Sequence, residues 1–470
     1  MQIISIIIHL TIFVFSLTAL NVEAEERSLP ITFIDKIQQQ RIYEPIFGGA
    51  TYIYEAGKDH SKSIILVHGI GDEAASIWIK LMKMLAQSYH VVAFDLPGFG
   101  KSDIQNVLYS PDKYSKFIKW IKDSKTTGPV IILGHSLGGA LALHFAATYP
   151  DLVESLIIID AVGILHRAAY SKDFLHIKEN ENWPWLINKS LEKPFRFVNK
   201  LTGKTIEKME SEDSSIQINT ILNNEFLRMV FLGGKPSAIA GLAVSDFDFS
   251  ELIEKVTAPT LIIWGENDSI APIRTAKILT AKLKRTHLEI IQQTGHAPMV
   301  ESPKIFNQKL LKFIANPFVA QLSTNEKTSL PNVDRKGLCK NQSELSFTGN
   351  YKEIEINNCK EVKIENLTAE NILIKDSEVI LENCVIVGMG VGLKTARANI
   401  VATNITVRND TAIYASSSRL DIAGGEIVGK EAAIVTPDNS FIIFSLGHIK
   451  SPYTDGHIHG IKNLTPENPL

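Results

Sequence analysis

Residues Val130-Ile131-Ile132-Leu133-Gly134-His135-Ser136-Leu137-Gly138-Gly139 pass from four aliphatic positions into a Gly-x-Ser-x-Gly turn. Ala140-Leu141-Ala142-Leu143 then continue as helix formers. Strand, turn and helix follow without a spacer, so the serine falls on the sharp bend between them. Small residues at 134 and 138 let the backbone pass close to itself there, which lifts the Ser136 hydroxyl above the sheet. The helix beyond the bend directs its positive end, and the Leu137 N–H, at any oxyanion formed on that hydroxyl.

Around this stretch the chain alternates. Ser63–His68, Val91–Asp95, Leu156–Asp160, Thr260–Gly265 and His287–Ile291 are short β-rich runs that are apolar on both faces. Strands of that kind belong to a parallel sheet covered by helices. Helical stretches lie between them at Ala74–Gln87, Pro111–Lys122, Gly139–Thr148 and Ile273–Leu283. The expected fold class is therefore α/β, with an open, doubly wound, mostly parallel sheet over about residues 30–317. Chemistry in such sheets gathers at the carboxyl ends of the strands.

A serine hydroxyl needs a general base, and the base needs a carboxylate to orient it. Two strand-end loops supply these groups in the chain order serine, acid, histidine. Gly265 leads into Glu266-Asn267-Asp268, and Ile291 leads into Gln292-Gln293-Thr294-Gly295-His296. Asp268 is read as the acid, His296 as the base and Ser136 as the nucleophile. Asp160, one strand earlier, is the rival acid. Asp95 is read as fixing a Pro-Gly turn, and His68 and His135 as packing or hydrogen-bonding residues.

Gly134-His135-Ser136-Leu137-Gly138, Gly265-Glu266-Asn267-Asp268 and Gly295-His296-Ala297-Pro298 together resemble the serine-nucleophile α/β-hydrolases. His68-Gly69-Ile70-Gly71, with Trp78 downstream, resembles that family's oxyanion loop. The resemblance implies the Ile70 and Leu137 N–H groups as the two oxyanion donors. Asp95-Leu96-Pro97-Gly98-Phe99-Gly100-Lys101-Ser102 resembles the family's next turn. A serine at the bend implies hydrolysis of carboxylic esters through an acyl-enzyme, as in a carboxylesterase or lipase, with no cofactor and no metal. The runner-up is a carbon–carbon bond hydrolase, because His-Gly-x-Gly with a downstream tryptophan also resembles the meta-cleavage-product hydrolases. Residues 163–250 resemble the helical cap of the family. Their apolar positions, Phe174, Trp183, Trp185, Leu186, Phe195, Phe197, Val198, Phe226, Met229, Val230 and Phe231, suit an ester with an apolar acyl chain.

The remaining chain divides by composition. Of 470 residues, all five Trp precede residue 265 and all three Cys follow residue 338, which marks two modules. A formal net charge of -3 argues against nucleic acid as a partner. Residues 1–24, apolar from Ile3 to Leu20 and followed by Val22-Glu23-Ala24, read as a signal peptide or a retained anchor, so the expected localisation is exported: periplasmic, secreted or cell-surface. A membrane contact is expected only if that segment is retained. Export also permits one disulfide among Cys339, Cys359 and Cys384, with one cysteine left over and the pairing left open.

Residues 318–339 read as a linker and 340–450 as a repeat domain, with 451–470 as a tail. Glu370–Ile380, Val391–Val401, Ala412–Ile422 and Ala433–Ile443 align without gaps at an offset of 21. The continuations Glu382–Gly388, Ala402–Arg408 and Ala423–Gly429 follow. Short β-branched runs at such a period predict stacked coils of a parallel β-helix. This part resembles the right-handed β-helices of pectin-active and adhesin-like proteins without their catalytic motifs. Glycan or cell-surface contact through it is the alternative in which the β-helix carries the main role.

Overall fold

A computed structural model describes residues 32–34, 36–165, 218–317, 321–322, 334–438, 440–454, 458–459 and 464–465. The leader, cap residues 166–217, most of the linker and His457 lie outside the described residues.

A ten-stranded sheet forms the first body. Its order is Thr32–Ile34, Ile37–Glu44, Gly49–Ala56, His90–Asp95, Ser63–Val67, Val130–His135, Val153–Ile159, Thr260–Gly265, Arg285–Ile291 and Gln321–Leu322. The six strands from His90–Asp95 to Arg285–Ile291 pair in parallel, while the flanking strands are antiparallel. Ser63–Val67 and Val130–His135 are buried at every position, as expected for strands covered on both faces. Helices Pro111–Lys125, Leu137–Thr148 and Ile273–Lys282 pack into one core cluster, and Ile79–Leu85 and Pro303–Ala315 into another. Ser110 starts the first of these helices by accepting from the Lys113 N–H at 3.3 Å, ahead of Pro111.

Of the cap, helices Ile218–Asn223, Glu225–Leu232, Pro236–Ser245 and Ser250–Lys255 are described. Asn224 caps Glu225–Leu232 through the Leu227 N–H, and Gly233 ends it in the left-handed region. Arg228, nearly buried, ties this helix down by donating to the Leu222 and Asn106 carbonyls at 2.6 and 2.8 Å. Phe226, Met229 and Val230 face outward.

The second body is a fifteen-stranded sheet whose strands pair in parallel, coil upon coil, in the pattern of a parallel β-helix. Ile354, Ile372, Leu393, Ile413 and Ile434 stack inside it in register. Asn366, Asn383 and Asn404 repeat at one corner with positive φ, where the Asn383 amide donates to Asn366 at 3.2 Å and the Asn404 amide to Asn383 at 3.3 Å.

The coils are less uniform than the gapless repeat implies. Ile372 faces Leu393, but Leu393 faces Ile413 and Glu382 faces Thr403, each one residue off the sequence alignment. Val401 likewise faces Asp421 instead of Ile422. Inward positions must keep a period of two, so corners and bulges, such as the one between Asn409 and Thr411, absorb the difference. The module also begins earlier than 340, with Lys336–Lys340, and its pairing reaches Ile458–His459 and Leu464–Thr465, inside the expected tail. Cys339 is bonded to Cys359, joining the first two coils, and Cys384 is free and buried. Burial pushes its thiol up to about 12.

The two bodies share an interface along helix Ile273–Lys282. Arg274 donates to Thr403 Oγ1 at 2.8 Å, to the Asp421 carboxylate at 2.9 Å and to the Ala402 and Asp421 carbonyls. Lys277 pairs with Glu382 at 2.6 Å, and Ala423 and Leu446 of the β-helix join the hydrolase core cluster. Arg274→Leu should cost about 3 kcal/mol, because it leaves the buried Asp421 without its cation. Urea unfolding followed by tryptophan fluorescence, which reports the first body, would show that loss as a lowered midpoint.

Candidate active site

Three loops converge at the carboxyl ends of the parallel strands, beginning with the bend at Ser136. Ser136 joins strand Val130–His135 to helix Leu137–Thr148 with φ 55° and ψ −122°. That conformation is strained for a residue with a side chain, and the surroundings impose it. The Ser136 N–H donates to Ile159 O at 3.0 Å, and Ser136 O accepts from the Gly139 and Val162 N–H groups at 3.0 and 3.2 Å. A Cβ on Gly134 would lie 2.0 Å from Gly138 O, and one on Gly138 would lie 2.3 Å from Val67 O. Only glycine fits either side of the bend. Leu137 is the first residue of its helix, so its N–H has no intrahelical acceptor.

The loop His68-Gly69-Ile70-Gly71 abuts this bend. A Cβ on Gly69 would stand 2.6 Å from Ser136 Cβ and 3.1 Å from its Oγ, so the backbone of this loop lies against the serine. His68 shapes the loop by donating from Nδ1 to Gly69 O at 2.6 Å and accepting the Leu96 N–H on Nε2 at 2.9 Å. Burial lowers its pKa to about 4, keeping it neutral as both roles require. Asp95, the turn residue, accepts from the Ala75 and Lys101 N–H groups at 2.9 and 2.8 Å.

His296 Nδ1 lies 2.8 Å from Asp268 Oδ2, and both side chains are almost wholly buried. Asp268 Oδ1 accepts from the Ile270 and Ala271 N–H groups at 2.8 and 3.0 Å. The carboxylate is thus gripped on both oxygens. His296 Nε2 is buried and has no hydrogen-bond partner among the described residues. His135, the residue before Ser136, sets its ring 4.9 Å from the His296 ring and donates to His296 O at 2.6 Å. Burial, followed by His296, lowers the His135 pKa to about 3 and keeps it a neutral donor.

Between the two acids weighed from the sequence, Asp268 and not Asp160 meets His296. Asp160 instead accepts the Gly265 N–H at 2.8 Å. Glu301 was not among the residues singled out. Its carboxylate accepts from the Gly295 and Ala297 N–H groups at 2.7 and 3.0 Å, clamping the loop on either side of His296. The signal for it was an acidic residue in the short helical turn Pro298–Glu301 directly after the Gly-His loop. Helix Pro236–Ser245 of the cap stands over the oxyanion loop, with Gly241 facing the Ile70 side chain.

Comparison with known proteins agrees with this architecture. The family model described as the alpha/beta hydrolase fold matches residues 62–303. The chain is 27% identical over 274 residues to a 2-hydroxy-6-oxo-6-(2'-aminophenyl)hexa-2,4-dienoic acid hydrolase of Metapseudomonas resinovorans, covering 57% of this chain and 88% of that protein. It is 24% identical over 278 residues to a monoacylglycerol lipase of Mus musculus, covering 56% and 79% respectively. Among solved structures, a thermophilic esterase from Thermogutta terrifontis matches with a TM-score of 0.41 at 19% identity, over 63% of this chain and all (100%) of that one. With its elbow, parallel sheet and family match, the chain belongs to the α/β-hydrolase family.

Proposed function

We propose that this chain is an exported serine hydrolase that cleaves carboxylic esters with an apolar acyl part. The observation that carries the reading is the buried Asp268–His296 hydrogen bond with an unpartnered His296 Nε2, next to the strained Ser136 bend. In this reading Ser136 Oγ attacks the ester carbonyl and His296 Nε2 takes its proton. Asp268 holds the imidazole tautomer and stabilises the imidazolium. The Ile70 and Leu137 N–H groups receive the tetrahedral oxyanion, each contributing about 3 kcal/mol. His296 returns its proton to the leaving alcohol as the C–O bond breaks. Water, deprotonated by the same histidine, then attacks the acyl-enzyme and releases the acid and Ser136.

The apolar cap helix over Ile70 supports an apolar substrate, since its sequence Pro-Ser-Ala-Ile-Ala-Gly-Leu-Ala-Val-Ser offers few polar partners. Export is supported by the apolar leader and by the Cys339–Cys359 disulfide, which persists in oxidising compartments. A relative named for a dienoic acid keeps the carbon–carbon reading as the alternative.

Hydrolysis of p-nitrophenyl esters of graded chain length tests the ester reading. Ser136→Ala should lose on the order of 10⁴-fold in kcat. Wild-type activity on a meta-cleavage product with none on esters would favour the alternative. Gly69→Ala should lower kcat by about 100-fold, because its methyl group must displace Ser136. An unaltered rate in that variant would contradict the placement of the oxyanion loop.

A further inference from the structure

Asp160 is fully buried and sits at a left-handed backbone position, φ 41°, just past strand Val153–Ile159. Its Oδ1 accepts the Gly265 N–H at 2.8 Å, where the acid loop begins. Its Oδ2 is also buried and meets no donor among the described residues. Asp268 adjoins it through the same residue, its N–H donating to Gly265 O at 3.3 Å, so a second carboxyl group stands beside Asp160. Asp268 in turn has committed Oδ1 to two backbone N–H groups and Oδ2 to His296. Two buried carboxylates this close cannot both stay ionised, and an oxygen with no donor around it is satisfied only by becoming a donor itself.

We propose that Asp160 is a neutral carboxylic acid whose Oδ2–H donates to the Asp268 carboxylate, making Asp160 a positioning residue for the acid of the triad. The inference rests on the assignment of Ser136, His296 and Asp268 above. The proton stays on Asp160 because Asp268 alone has His296 and two backbone donors to stabilise a charge. Burial pushes the Asp160 carboxyl well above the usual carboxylate range, and the charges of Asp268 and Glu301 add to it. The charged and titratable groups facing it are therefore Asp268 from the acid loop and Glu301 from the turn after the histidine loop, with His296 beyond Asp268. This fourth hydrogen bond fixes the Asp268 plane relative to His296 and spreads its charge. An asparagine at this position could keep both bonds, accepting from Gly265 through its carbonyl and donating through its amide.

The test uses the full chain. The infrared difference spectrum of wild type minus Asp160→Asn at pH 7 should contain the C=O stretch of a protonated carboxylic acid, and its absence overturns the proposal. Inactivation by a fluorophosphonate gives the second reading. Asp160→Asn should react within about threefold of wild type, whereas Asp160→Leu should be about 10- to 100-fold slower. An Asp160→Asn chain that falls as far as Asp268→Asn would mean that position 160 needs a charge, and the proposal fails. Should Asp160→Leu not fold, the asparagine variant and the infrared band still decide. A wild type that never reacts with the fluorophosphonate defeats the serine-hydrolase reading instead, while the infrared band continues to report on Asp160.

Discussion

The crowded backbone crossing at Ser136 is the constraint on which the rest of the site depends. Three peptide segments, residues 67–69, 134–139 and 159–162, meet there, at contact distances that exclude a Cβ at Gly134, Gly138 or Gly69. The strand from Val130 to His135 cannot end anywhere else, because Ser136 N–H and O are already committed to Ile159, Gly139 and Val162. A serine held at positive φ stores strain, and the sheet and helix on either side keep it from relaxing. The consequence is a hydroxyl presented at the head of a helix, against the oxyanion loop, before any substrate arrives.

Around that crossing, polar side chains hold the loops through hydrogen bonds to backbone. His68 and His135 are buried and neutral, each bridging one loop to another through both a ring nitrogen and a fixed tautomer. Glu301 and Asp268 use backbone N–H groups to bind their own loops. The Asp268 and His296 loops are thereby held from two sides. The acid loop runs on into helix Ile273–Lys282, and that helix is the one gripped by the β-helix through Arg274 and Lys277. The C-terminal module is therefore continuous with the packing behind the site instead of being hung on a tether.

Much of this was legible from local pattern. The Ser136 bend, the Asp268 loop and the His296 loop sit in short motifs whose glycine and small-residue requirements are written at adjacent positions, so their meeting at one edge of the sheet was legible in the chain. The sheet was legible because its strands are apolar on both faces. What escaped was long-range or side-chain chemistry. Glu301 acts on backbone atoms four and six residues before its own, and an acidic residue in the turn after the Gly-His loop is a faint signal of that. The choice of Cys339 and Cys359 over Cys384 depends on which coils stack, and a β-helix hides that in corners of variable length. The coil register slipped for the same reason: inward and outward alternation repeats, whereas the residues spent on each turn do not.

The central claim is that Ser136 carries the acyl group during turnover. Rapid acid quenching of the full chain with a p-nitrophenyl ester, followed by peptide mapping by mass spectrometry, tests it directly. The account predicts a peptide containing Ser136 heavier by the acyl group in the first turnover, with no such adduct when His296 is replaced by alanine. Turnover with the acyl group on another residue, or with no covalent adduct at any quench time, would contradict it.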